Sequence, residues 1–235
     1  MRRLLPLPLL LLAACQSAQM RVPTTLDGAP VITCSGRQGF LFNEAFDCSP
    51  YRVVNVRRSW TVTHSWGDVW FEIARADERY EFVLETGARV WDGQFAVGAA
   101  VDELRLQEVF GGTLEIRLFD DRFLLGSMGA RGDTEPWELA VGSGTTERVM
   151  RGALTRGDVE IRIEGTNRLA GTSIPTSEAT GYVFLLDGRE IAAVEVINSG
   201  ALRILPTLDS DLREALATAS AGLLLYRDLL AGRSD

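Results

Sequence analysis

No charged residue stands between Glu214 and Arg227, and the apolar side chains of that stretch go all the way round a helix. Leu212, Leu216, Ala219, Leu223, Tyr226 and Leu230 follow one another at spacings of four and three, with Gly232 placed to end the run. A helix apolar on every side must be enclosed, and this one is too short to span a bilayer. The chain before it supplies the enclosure. From Val31 to about Pro206 the pattern is two-residue alternation: Leu114, Ile116 and Leu118 against Glu115 and Arg117, and Val159, Ile161 and Ile163 against Glu160, Arg162 and Glu164. The expected fold is therefore mainly β, an antiparallel barrel or sandwich-like sheet of about 10–13 strands, with a buried C-terminal helix at about 210–231.

Turn residues punctuate the strands. Asp92-Gly93 and Asp187-Gly188 are pairs that supply positive φ to two-residue hairpins, and Asp120-Asp121 would set Leu118 against Phe123 and Ile116 against Leu125. Ser210 or Asp211 is expected to cap the helix, Glu214 completing a capping box with Asp211. Glu72-Ile73, Glu115-Ile116 and Glu160-Ile161 suggest a loose internal repeat, although any β chain rich in these residues shows such coincidences. There are too few repeats for a propeller.

The amino-terminal segment gives an address. Arg2-Arg3, the apolar core Leu4–Leu12 and Leu12-Ala13-Ala14-Cys15 resemble the signal and lipobox of bacterial lipoproteins. The resemblance implies removal of residues 1–14 and acylation of Cys15, whose two or three chains make a durable membrane anchor. Gln16, where Asp would suggest inner-membrane retention, favours the outer membrane facing the periplasm, or the outer face of the cell membrane if there is only one. Residues 15–30, mixing Ser, Thr, Pro, Gly and Asp, read as a lipidated tether of about 20 Å reach, followed by a single domain, 31–235. In an exported chain Cys34 and Cys48 are expected to form a disulfide.

The helix-closed β pattern also resembles the tubby-like superfamily, which includes the LURP-one-related proteins and the phospholipid scramblases. The stretch concerned is Gly157–Gly232, chiefly Tyr182–Asp187, Ala192-Ala193-Val194, Leu202-Arg203-Ile204 and the Ala/Leu helix. The resemblance implies a twelve-stranded barrel threaded by the helix. The segment Cys34–Asp68 departs from it, and no functional residue is carried over.

Chemistry is defined mostly by elimination. The net charge is −8, and −10 once the two arginines of residues 1–14 are removed; the chain has no lysine. That acidity disfavours nucleic acid as a partner and gives no general attraction to anionic lipid. His64 is the only histidine, so the chain alone builds no multi-histidine metal site; Gly-x-Ser-x-Gly, P-loop and dinucleotide fingerprints are absent. No cofactor and no metal is expected. His64, Ser65 and Asp68 contain the residue types of a hydrolytic triad, but neighbours in sequence seldom give its geometry. Of Trp60, Trp66, Trp70, Trp91 and Trp137, the pair Trp66 and Trp70, with His64 and Asp68, forms the candidate binding surface; the commoner role of such tryptophans is to fill a core or cover barrel ends. Arg57-Arg58 reads as a solvated loop, and Arg131-Gly132-Asp133 and Arg156-Gly157-Asp158 as turns before strands. The expectation is an envelope-anchored, non-catalytic binding or scaffold module whose partners are the membrane through Cys15 and an envelope protein, glycan or apolar ligand. Two alternatives stand beside it: a carrier of a lipid or other apolar ligand, and a hydrolase of envelope glycans using Asp120-Asp121 or Glu135 with Glu138.

Overall fold

Alternating side chains along the chain produce two chemically different sheet faces, and the apolar face closes around the apolar helix. In the computed structural model, which describes residues 17–37, 45–59, 74–101, 122–143 and 149–232, twelve strands form one antiparallel sheet. They are β1 (Val31–Thr33), β2 (Phe46–Cys48), β3 (Tyr51–Ser59), β4 (Ala74–Glu85), β5 (Val90–Val101), β6 (Arg122–Ala130), β7 (Trp137–Ser143), β8 (Arg151–Arg156), β9 (Val159–Thr166), β10 (Gly181–Leu186), β11 (Arg189–Glu195) and β12 (Ala201–Ile204). From β2 to β12 each strand pairs with its neighbour in sequence, and β1 pairs with β12. The result is a nearly closed barrel, with the helix α1 (Ser210–Gly232) running through its interior.

Closure happens at a narrow seam. Cys34 N–H donates to the Gly200 carbonyl at 3.0 Å, continuing the β1–β12 pairing, while Ser35 exchanges two backbone hydrogen bonds with Asp47 at 2.8 and 2.9 Å. Between them Cys34 is joined to Cys48 by a disulfide. One short segment thus touches both edges of the sheet, which leaves fewer unpaired edge groups.

The inward residues explain how a helix fits inside. Tyr80 lies opposite Phe95, Phe82 opposite Gly93, and Phe95 opposite Gly126. The Phe95 ring stacks on Tyr80 at 5.2 Å and on Phe82 at 5.6 Å between centroids. Gly93 and Gly126 leave room for these rings: a Cβ at Gly93 would stand 2.9 Å from Phe82 Cζ, and one at Gly126 2.5 Å from Phe95 Cε1. From Glu214 to Tyr226 every residue of α1 is buried. Tyr80 Oη donates to the Gly222 carbonyl at 2.7 Å, so the wall is tied to the helix backbone as well as packed on its side chains. No helix among the described residues is long and apolar enough to cross a membrane.

Several local expectations change. Asp187-Gly188 is the β10–β11 turn, with φ of 52° and 75°. Asp92-Gly93, however, lies inside β5, and the β4–β5 turn is formed by Thr86–Arg89. The glycine there serves packing on Phe82, which the sequence signal for a turn does not distinguish. Asp209 caps α1 by accepting the Leu212 N–H at 2.8 Å; Asp211 and Glu214 make other bonds. Arg57 and Arg58 belong to β3, where Arg57 pairs with Glu81 at 3.3 Å. Both Arg-Gly-Asp sequences sit at turns before strands. Trp91 and Trp137 are buried core residues.

Candidate binding surface

The two ends of the barrel differ. At the end where α1 begins, Asp211 accepts hydrogen bonds from Arg89 and Arg156, both at 2.6 Å. Arg89 also reaches Asp133 at 3.1 Å, and its guanidinium lies 5.2 Å over Trp91, while Arg156 lies 4.5 Å over Trp137. Glu214, nearly buried, accepts from Trp91 Nε1 at 2.8 Å and from Thr86 Oγ1 at 3.1 Å. Burial works to raise the Asp211 carboxyl, but the Arg89 and Arg156 hydrogen bonds outweigh it and hold the group below the ordinary carboxylate range. Every oxygen of this cluster is engaged with the protein, so it acts as a lock between helix and wall.

The opposite end carries an open site. Residues expected to form a free tether are instead laid across the outer face of β10–β12 as a strap. Met20 N–H donates to Glu195 Oε2 at 2.9 Å, Ala170 N–H to the Gln19 carbonyl at 2.8 Å, and Arg21 N–H to the Arg168 carbonyl at 2.9 Å. Asn198 Nδ2 holds the Ala18 carbonyl at 2.7 Å. Met20 is 2% exposed and fits where Gly181 has no side chain: a Cβ there would meet Met20 Sδ at 2.2 Å. A 3-10 helix, Thr24–Leu26, then buries Leu26 against Ala193, Val183 and Leu205. The low apolar content of this segment suggested freedom; its few apolar residues are enough because each has a shaped socket.

Between strap and wall lies a groove of about 520 Å³, lined among others by Arg21, Asp27, Thr33, Glu195, Asn198 and Arg203. That volume is within the range of small-ligand sites, and the lining offers both signs of charge. A smaller depression of about 140 Å³ lies outside the wall near Gln94, Ser127 and Arg131. Neither includes Glu135 or Glu138. Among the described residues no group of three or more His, Cys, Asp or Glu is placed to hold a metal ion.

Of the residues singled out from sequence, Cys34 and Cys48 are brought together at the seam. Cys15, Trp60, His64, Ser65, Trp66, Asp68, Trp70 and Asp120-Asp121 lie outside the described residues, as do Glu72-Ile73 and Glu115-Ile116. Sequence reasoning missed the strap groove. Its one available signal was Met20 and Leu26, isolated apolar residues in a polar segment. Comparison with protein-family models, with curated proteins and with solved structures finds no match for this chain.

Proposed function

We propose that this chain is an envelope lipoprotein, acylated at Cys15 after removal of residues 1–14, whose barrel is a non-catalytic binding module presenting the strap groove. The observation that carries this reading is where the strap begins. Ser17 is already beside the barrel wall as part of the groove lining, and from Cys15 to Ser17 the chain reaches at most about 7 Å. An acyl anchor on Cys15 would therefore hold the groove close to a bilayer, where an envelope protein or glycan would meet it. The carrier reading has less support, because α1 and the inward side chains occupy the interior. Twelve antiparallel strands around a C-terminal helix are the architecture that a tubby-like relationship would imply.

The test compares the native chain with Cys15→Ser. Intact mass should show a diacylglyceryl modification and loss of residues 1–14 in the first only, and only the first should require detergent for release from the envelope. A photoreactive residue at Arg203 should then crosslink in intact cells where one at Gln94 does not. An unmodified Cys15, or equal crosslinking at the two sites, would overturn the reading.

A further inference from the structure

The most exposed large apolar residue of the described chain is Ile174, at 74%. It sits in the β9–β10 loop beside the Arg168–Pro175 bridge, and that loop is well braced. Thr176 N–H donates to the Asn167 carbonyl at 2.8 Å, Asn167 Nδ2 to the Thr176 carbonyl at 3.1 Å, and Ile174 N–H to Thr172 Oγ1 at 3.1 Å; Arg168 and Pro175 form a bridge. The exposure is therefore built in by the loop's own bonds. The same loop pairs with the strap, through the Met20–Leu169 bridge and the Gln19–Ala170 and Arg21–Arg168 backbone bonds. Ile174 thus belongs to the element that holds the chain leading to Cys15.

Charge distribution points the same way. The chain is strongly acidic, yet no Asp or Glu occurs from Gln16 to Leu26 or from Gly165 to Ser177. Each of these two segments contains an arginine, Arg21 and Arg168, and both are exposed. Among the described residues the acids beside these segments are committed or set back: Glu164 pairs with Arg162, Glu178 with Arg227, Glu195 accepts from Met20 N–H and Asn198, and Asp27 follows the strap's helical turn.

We propose that the strap end of the barrel docks on an anionic lipid bilayer, the β9–β10 loop placing Ile174 among the headgroups while Arg21 and Arg168 meet lipid phosphates. An exposed aliphatic residue flanked by arginines gains from burial at the interface and from attraction to anionic lipid. The proposal rests on acylation of Cys15, which brings the end within reach, and it adds an orientation: α1 points its carboxyl end toward the membrane, and the Arg89–Asp211 cluster faces away.

The experiment uses the full acylated protein in vesicles of phosphatidylcholine with phosphatidylglycerol. A nitroxide is attached at Ile174→Cys or, as a control in the β8–β9 turn at the other end, at Asp158→Cys. The label at 174 should be shielded from a water-soluble relaxation agent and open to oxygen, the label at 158 the reverse. Adding Arg21→Glu and Arg168→Glu should remove the shielding at 174 without releasing the protein from the vesicles. If the protein floats with vesicles but the two labels are equally water-exposed, docking is wrong and the anchor reading stands. If it does not float and Cys15 itself takes up the thiol reagent, the anchor reading falls and this proposal with it.

Discussion

The ring of Phe95 occupies the space that a side chain at Gly222 would need: a Cβ on Gly222 would stand 2.4 Å from both Cε1 and Cζ of Phe95. Phe95 is itself held between Tyr80 and Phe82, so it has no direction in which to yield. Gly222→Ala is expected to destabilise the fold by about 1–3 kcal/mol, the usual cost of overpacking. In an isolated helix the same change would stabilise by about 1 kcal/mol. The sign measured by chemical denaturation separates the two, and Phe95→Leu should reduce the penalty.

Ser220 makes the opposite case. It is fully buried and its hydroxyl has no hydrogen-bond partner among the described residues. Ser220→Ala removes an unsatisfied polar group and improves helix propensity, so stability should rise by about 1 kcal/mol. A shift of the denaturation midpoint to higher urea, at unchanged slope, is the expected result.

Asp211 should shape the acid limb of stability. Its carboxyl is held below the ordinary range in the folded chain, while unfolded it titrates near about 3.9. Its contribution is therefore complete above that value and is lost as pH falls through the lower folded one. Asp211→Asn should cost about 1–2 kcal/mol at neutral pH, given hydrogen bonds to charged groups discounted for partial exposure. The variant and the native chain should converge in strong acid, which a pH series of urea midpoints would show.

Much of the architecture was legible, and the reasons are specific. The uncharged run from Glu214 to Arg227 demanded an enclosure, and the alternation at Ile161 and Ile163 supplied one. Asp187-Gly188 read correctly because Leu186 and Arg189 close a two-residue hairpin around it. Asp92-Gly93 has the same letters, but Gly93 faces Phe82 across two strands, a relation that local sequence does not contain. The sequence pattern places the cap one or two residues late, at Ser210 or Asp211: Asp209 takes it, and Asp211 is held instead by Arg89 and Arg156 from distant turns. The strap was illegible for a similar cause. Its stability lies in the absence of a side chain at Gly181, far along the chain from Met20.

Met20→Ala should therefore loosen the strap before it affects the barrel. Removing a buried Met side chain costs about 2 kcal/mol at the low end of such changes, so amide exchange in Gln19–Leu26 should quicken roughly thirtyfold, a tenfold change corresponding to about 1.4 kcal/mol. Exchange in the wall strand β9 should be unchanged.

Reduction of Cys34–Cys48 should open the seam. A loop of about 15 residues is worth roughly 3 kcal/mol in the chain-entropy model. Beyond the global loss, the amides of Ser35 and Asp47, each donating to the other's carbonyl across the seam, should lose protection first. Equal protection in oxidised and reduced protein would show that the two backbone bonds suffice for closure.

Because β1 pairs with β12 and the plug follows all twelve described strands in sequence, assembly has to wait until the residues of α1 have been made. Hairpins can zip in passing as synthesis proceeds, but the hollow they surround has nothing to fill it until residues beyond Ser210 arrive. The barrel therefore stays unfilled until those residues arrive, and deleting even a few turns of α1 would empty the middle of the molecule, a loss far greater than the trimming of an appendage.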